Sequence, residues 1–406
     1  MLTARGRLAL ALGAALYLAA WAFGADPLYP VAVGLVLAGA LARTWIQLAG
    51  RPMQLRRESW GGHERTEGDD VPVDLELAYE GRLLPSSVTV TDRIARLGER
   101  EVDLTRRPGR RLSGRYVCAR VPRGRYRFEE TRVVLEDPFG LASAELRLES
   151  TGALLVYPRL VELGELFTET GSRRLEGRRL LLRRPTGFDL HSVREWDEGE
   201  SLRMVHWPST ARRGRLMVKE LEDAPRDEVA VLLDAAEGVD AGEPPDSSFD
   251  AQVRAAGSIL QAHARRGRRA VLVVNGRVRE SQGVGVEDSD LRGALELLAA
   301  AEPNGQTPAS ALLAEEASRA ARALEVIVVT ARLPADLVER LVHRSARGLR
   351  AGVVYVDASS WSGGGTREPG LLRLQSAAVP VAVVRRGDDL RAVLGGTVFA
   401  EAAAGG

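Results

Sequence analysis

Three regimes of apolar and polar spacing follow one another along the chain. Leu8 to Gly24 is a run of 17 residues without a charge, broken by Gly24-Ala25-Asp26-Pro27. A second charge-free run goes from Leu28 to Ala42 and reaches Leu48 if Arg43 snorkels toward lipid headgroups. Neither run has a polar face, so the pattern predicts a helical hairpin that crosses a bilayer, with spans at about 8–24 and 28–48. Tyr17, Trp21, Tyr29 and Trp45 lie near segment ends, as interfacial aromatics do. A secretory leader would need a small-x-small cleavage site ahead of a polar chain, whereas here a second apolar run follows at once. A soluble, buried helical hairpin is the remaining alternative.

From about Val71 to Tyr157 the period becomes two. Val73-Asp74-Leu75-Glu76-Leu77, Ser87-Val88-Thr89-Val90-Thr91 and Arg115-Tyr116-Val117-Cys118-Ala119 alternate, punctuated by Gly81, Gly98, Pro108-Gly109 and Pro122-Arg123-Gly124. Short, evenly spaced strands with turn signals predict an antiparallel sandwich over residues 51–160. Cys118 reads as a small core hydrophobe.

The last regime alternates continuous apolar runs with helical spacing. Val229 to Leu233, Ala270 to Val274, Val326 to Val329, Gly352 to Val356 and Val379 to Val384 read as buried strands. Phe249 to Arg266, Pro308 to Leu324 and Ala335 to Arg347 read as helices, the second with Thr307 as N-cap and Pro308 in its first turn. This order predicts a mostly parallel sheet covered on both faces, over residues 226–400, with 401–406 as a tail. Ligands of such sheets sit at the carboxyl ends of strands, where Asp234 and Thr330 fall. No glycine-rich phosphate motif follows a strand.

Charge narrows the function classes. The 56 basic and 55 acidic residues nearly cancel, so no global field draws the protein to nucleic acid. All basic residues but Lys219 are arginine, which the abundant glycine and alanine attribute to a GC-rich genome rather than to function. The single cysteine excludes a disulfide framework and a cysteine zinc site. Arg5 and Arg7 precede the first span and Arg43, Arg51, Arg56 and Arg57 follow the second, while the turn carries only Asp26. The positive-inside rule therefore places both ends of the hairpin, and the body after it, in the cytoplasm.

The C-terminal half resembles a von Willebrand factor A-like domain. That resemblance implies a divalent metal held by an Asp-x-Ser-x-Ser loop, a later threonine and a later aspartate. Asp234 matches the first position and Thr307 supplies a threonine. Ala235 and Ala236 follow Asp234, however, and Ala331 follows Thr330. Too few oxygen donors remain, so the expectation is a degenerate site with no metal and no cofactor.

The segment 161–225 connects the two domains and contains the most distinctive phrase, 185–221. It carries Gly187-Phe188, Val193-Arg194-Glu195-Trp196, Gly199-Glu200, Leu202-Arg203-Met204-Val205-His206-Trp207 and Ala211-Arg212-Arg213-Gly214. With Arg123-Gly124-Arg125-Tyr126, Asp137-Pro138-Phe139-Gly140-Leu141 and Val156-Tyr157-Pro158-Arg159 upstream, the chain resembles the family catalogued as domain of unknown function number fifty-eight. His206-Trp207-Pro208 stands where that family usually has Asp-Trp-Lys, which removes an acid and a base. The resemblance implies a membrane-anchored protein linked to MoxR-type AAA+ ATPases, which act on client complexes.

Two readings of the signature remain open. Arg194, Glu200, Arg203 and Arg212 form either an internal ion-pair clamp, with Trp196 and Trp207 as core anchors, or an exposed docking surface for a partner. Opposite charges are evenly matched, which favours the clamp. His206, Ser209 and Asp197 would be the members of a hydrolytic set, a minority alternative, and a metal-dependent binding module is another. The leading expectation is a non-enzymatic adaptor at the cell membrane, acting with a MoxR-type AAA+ ATPase on an unidentified client protein.

Overall fold

The computed structural model describes residues 1–49, 53–59, 65–80, 83, 86–149, 152–169, 190–195, 205–221, 229–285, 287–315, 318–364 and 368–395. The chain divides into two compact units, Met1–Tyr157 and Pro158–Gly406.

The first unit begins with two apolar helices, α1 (Ala4–Phe23) and α2 (Leu28–Leu48). Thr3 caps α1 by accepting from the Gly6 amide at 3.1 Å. Gly24, in the left-handed region at φ 58°, ends it. The helices meet through small residues. A Cβ on Gly13 would lie 3.1 Å from the Ala32 carbonyl oxygen, and Ala20 and Ala32 are buried. This is how apolar helices associate where lipid supplies no hydrophobic driving force. Their outward faces, including Leu8, Leu12, Leu18, Trp21 and Leu41, are exposed.

Ten strands follow: β1 (Met53–Ser59), β2 (Arg65–Thr66), β3 (Val71–Tyr79), β4 (Ser87–Ile94), β5 (Gly98–Asp103), β6 (Thr105–Arg107), β7 (Arg111–Cys118), β8 (Gly124–Glu136), β9 (Ser143–Glu149) and β10 (Ala153–Tyr157). They form one sheet ordered β1-β3-β7-β6 and another ordered β2-β10-β8-β4-β5, with β9 also on β8. Strict alternation in β3 turns Val71, Val73, Leu75 and Leu77 inward. They share one core with Val88, Val90, Val133, Leu135 and Cys118, and the base of α2, Ala42 and Ile46, joins it. Burial pushes the Cys118 thiol up, as befits a core residue.

One member of the basic flank has a different task. Arg57 enters the core, where Nη2 meets Asp92 Oδ1 at 2.7 Å. Arg5, Arg7, Arg43 and Arg56 remain exposed.

The second unit contains β11 (Leu190–Glu195), α3 (Trp207–Arg213) and β12 (Met217–Leu221), then β13 (Val229–Leu233), α4 (Ser248–Arg265), β14 (Ala270–Asn275), β15 (Arg279–Val284) and α5 (Asp288–Ala300). It continues with α6 (Ala309–Ala314), α7 (Arg319–Arg322), β16 (Glu325–Thr330), α8 (Ala335–Ala346), β17 (Arg350–Val356), α9 (Pro369–Ser376), β18 (Val381–Val384) and α10 (Leu390–Leu394). The main sheet is ordered β15-β14-β13-β16-β17-β18, parallel except for β15. Alternate residues of the strands face opposite layers. Val229, Val231 and Leu233 pack with α4, α5 and α10. Ala230 and Leu232 pack with α6, α7, α8 and α9. Both faces are covered, which is why these strands read as continuous apolar runs.

Three sequence expectations need correction. Pro308–Leu324 is not one helix. Glu315 turns to extended backbone, ψ 110°, where its carboxylate pairs with Arg279, and Ser318 starts a new helix. Nor does Thr307 cap α6. The Asn275 side-chain amide donates to the Thr307 carbonyl at 2.9 Å, and Pro308 occupies the N-cap without a side-chain hydrogen bond. The stretch 158–169, expected to straddle the sandwich and a connector, belongs to the second unit, because Leu166 and Phe167 are buried in its core.

Candidate functional site

The chain leaves β13, builds β14 and β15 on one side, and returns as β16 on the other. The loops after β13 and β16 therefore diverge, which opens a crevice at the carboxyl ends of these two strands. Asp234 and Thr330 stand there. Thr330 Oγ1 donates to Asp234 Oδ2 at 2.7 Å, and Asn275 Nδ2 donates to Asp234 Oδ1 at 2.8 Å. The Arg332 guanidinium stands off at 4.0 Å. Asn275, at the end of β14, also accepts from the Ala235 amide, so it ties three loops together. Gly305 allows this closeness: a Cβ there would lie 1.8 Å from the Asn275 carbonyl oxygen.

Each Asp234 oxygen thus accepts from one neutral donor of its own sheet. Thr307 reaches it only through Asn275, by its carbonyl and not its hydroxyl. Ala236 and Ala331 line the crevice beside Asp234, Asp240, Phe249, Gln252 and Pro303. Asp240 Oδ1 accepts from Ser248 Oγ and the Phe249 amide, each at 2.9 Å, and so holds the start of α4. Gln252 is 2% exposed, and its Oε1 has no hydrogen-bond partner among the described residues. Every polar side-chain oxygen offered here is an acceptor, so the crevice suits a donor or a water better than an anion. Among the described residues no group of three or more His, Cys, Asp and Glu is placed to hold a metal ion. The sequence marks Asp234, Thr307 and Thr330. Asn275, Asp240 and Gln252 are additions of the structure, and only the strand-end position of Asn275 signals one of them.

The signature forms a separate, small element. β11 and β12 pair antiparallel, with Arg194 opposite Val218 and Glu195 opposite Met217. The α3 helix closes the loop between them. The His206 amide donates to the Met217 carbonyl at 2.7 Å, and the Met217 amide donates to Thr210 Oγ1 at 3.0 Å. Val205 and Met217 are buried, which anchors the turn. Gly214, at φ 67°, ends α3.

Trp207 is not the expected core anchor: it is 64% exposed at the first position of α3. Val205 and Met217 fill that place, and Trp207 turns outward with Arg212 and Arg213 on the same short helix. Arg194 is placed by its backbone in β11. Glu200, Arg203, Trp196 and Asp197 lie outside the described residues, so the expected pairing of Arg194 and Arg212 with them does too. His206 Nδ1 lies 2.8 Å from Ser209 Oγ. This pair spans three residues at a helix start, a spacing at which side chains face each other without any larger constellation.

These features define a two-unit protein in which an apolar hairpin and a strand domain precede an open, doubly wound α/β unit with a small switch-point crevice. Residues 192–359 match the family model described as protein of unknown function DUF58. The chain is 26% identical over 234 residues to the uncharacterized protein YeaD of Bacillus subtilis (strain 168), covering 56% of each chain. It thus spans about half the length of that curated relative. Among solved structures, a conjugative transposon lipoprotein from Bacteroides eggerthii is 16% identical, with 25% of this chain and 99% of that one covered and a TM-score of 0.15. Cwp6 from Clostridium difficile is 8% identical, with 83% and 37% covered and a TM-score of 0.21. At these scores neither bears on the fold.

Proposed function

We propose that the chain is a membrane-anchored adaptor whose α/β unit binds protein partners in the cytoplasm, a MoxR-type AAA+ ATPase among them, during remodelling of a client complex. The observation that carries the anchoring is the hairpin. Its two helices, 20 and 21 residues long, are wide open on their apolar faces, yet the base of the second is built into the strand-domain core and the start of the first is hydrogen-bonded to that domain through Thr3. A cleaved leader would take Thr3, Gly6 and their contacts to Leu141 and Gly140 with it, and these contacts support a retained hairpin. Helices of this length match the bilayer core. The exposed Arg5, Arg7, Arg43 and Arg56 favour a cytoplasmic body.

The adaptor role rests on the crevice and the signature together. Asp234 is held by neutral donors in an arrangement that resembles a von Willebrand A-type site whose metal-binding set has been dismantled. Trp207 presents a large amphipathic surface on a short, capped helix, the residue type that dominates partner binding. Crosslinking of the full chain in native membranes, followed by partner identification, tests this reading. Recovery of an AAA+ ATPase with the wild type, and its loss with Trp207→Ala at unchanged thermal stability, is the expected result. Failure to recover any ATPase, or equal recovery by both proteins, would overturn the docking role.

A further inference from the structure

The Asp137-Pro138-Phe139-Gly140-Leu141 turn is unusually well built for a surface loop. The buried Asp137 carboxylate accepts from the Phe139 amide at 2.9 Å and the Ala142 amide at 2.6 Å, which closes an Asx-type turn. Gly140 takes the left-handed conformation at φ 65°. The turn is fastened to the start of α1. Thr3 Oγ1 donates to the Gly140 carbonyl at 2.6 Å, the Thr3 amide donates to the Leu141 carbonyl at 2.9 Å, and Leu2 bridges to Ala142. A Cβ on Gly6 would lie 2.0 Å from the Leu141 carbonyl oxygen, so helix and turn touch by backbone.

At the tip of this rigid turn Phe139 is 76% exposed. A lone exposed apolar residue needs no explanation in general. Here its position supplies one. The turn sits level with Thr3, five residues before Leu8, where the apolar run begins. That is about 7.5 Å of helix rise at 1.5 Å per residue. Arg5, whose guanidinium nitrogen would lie 3.7 Å from a Cβ on Gly140, stands at the same level. With α1 spanning a bilayer from Leu8, this level falls a few ångströms outside the hydrocarbon boundary, at the depth of the headgroups.

We propose that Phe139 is a second, non-helical membrane anchor: its ring inserts among lipid headgroups beside α1 and fixes the tilt of the strand domain against the bilayer. The inference rests on the reading of α1 and α2 as membrane spans. Its occupant is lipid, because the turn is fastened to the base of a span and its flank is basic. Asp137 and Gly140 are then needed to hold the ring at one height, and Thr3 to tie that height to the helix.

The test uses the full chain in phospholipid vesicles. An environment-sensitive fluorophore is placed on Phe139→Cys, on Leu12→Cys within α1, and on Glu101→Cys at the exposed edge strand β5; the buried Cys118 stays unlabelled in the folded protein. Nitroxide lipids quench at the headgroup end or deep in the acyl chain. The label at 139 should lose fluorescence to the shallow nitroxide, that at 12 to the deep one, and that at 101 to neither. If 139 behaves like 101 while 12 is quenched, the spans stand and the anchor is overturned. If 12 is unquenched as well, the spanning reading fails and takes the anchor with it. A blue-shifted label at 139 that no nitroxide quenches means that protein covers the ring, which also overturns the proposal.

Discussion

Two buried aspartates, Asp92 in the first unit and Asp234 in the second, are treated in opposite ways. Asp92, in β4 of the strand domain, is 0% exposed and meets a full counter-charge. Arg57 Nε and Nη2 donate to its two oxygens at 3.0 and 2.7 Å, Thr131 Oγ1 donates at 2.6 Å and Tyr116 Oη at 2.8 Å. The guanidinium lies 4.6 Å from the Phe128 ring centroid, and burial, with the neighbouring Asp92, pushes the Tyr116 hydroxyl well above the ordinary phenol range. Asp234, 7% exposed, takes its side-chain hydrogen bonds among the described residues from dipoles, Asn275 and Thr330, with the Arg332 guanidinium no closer than 4.0 Å and a crevice on its open side. A carboxylate neutralised by an arginine in a core is architecture. One held by neutral groups at a strand end keeps its charge directed outward, toward whatever enters the crevice.

This contrast breaks first at Arg57. Arg57→Ala leaves Asp92 charged and buried, which should cost roughly 3–5 kcal/mol. Chemical unfolding of the solubilised chain should show the strand domain losing that stability; an unchanged midpoint would mean that Asp92 reaches water and that the two aspartates do not differ.

A third buried group extends the series. His263 on α4 is fully buried, and neither ring nitrogen has a hydrogen-bond partner among the described residues. Burial, and then the Arg268 and Arg266 charges, lower its pKa to about 4. The unfolded chain, with a value near 6.5, binds the proton first. The stability is complete above about pH 6.5 and is lost as the pH falls toward 4, by ~2 kcal/mol at pH 5. His263→Leu should flatten that part of the pH profile of the second unit. An identical slope in both proteins would show that the imidazole is not buried neutral.

The smaller effects fall on the crevice and the signature. Thr330→Val removes one of the two donors to Asp234 and should cost roughly 1.5 kcal/mol, read as a shift in the same unfolding curve. Titration of Mg²⁺ into the wild type should leave the melting temperature unmoved, since a cation bound to the native state must raise it. A rise that Asp234→Ala abolishes would mean that the carboxylate is a ligand after all. Trp207→Ala and Arg212→Ala should each change stability by less than about 0.5 kcal/mol, because both side chains are exposed. A large loss would restore the core-anchor reading of Trp207.

How far the sequence speaks differs from region to region, for reasons of scale. Apolar runs without a polar face are legible directly, because the bilayer-like length of α1 and α2 and the two-sided burial of β13, β14, β16 and β17 leave no alternative pattern. The β3 alternation is equally local. The edge strand β15 is silent, since its Arg-Glu-Ser-Gln-Gly face meets solvent and carries no period. Asp234 is found by its place after a strand, but nothing local tells whether metal, arginine or amide will meet it.

Sequence by itself therefore determined the order hairpin, strands, α/β, the strand ends where a site must fall, and the phrases that mark the family resemblance. Those are properties of residues one to four positions apart, where propensity and periodicity act. Tertiary structure alone decided which charges meet. It took Arg57 from the basic flank of the hairpin to Asp92, 35 positions away, gave Asp234 to Asn275 and Thr330 at 41 and 96 positions, turned Trp207 outward, and fastened the Phe139 turn to Thr3. Partners so distant are chosen by sheet order and by the requirement that each buried polar group find a donor or acceptor, and no local spacing records that choice.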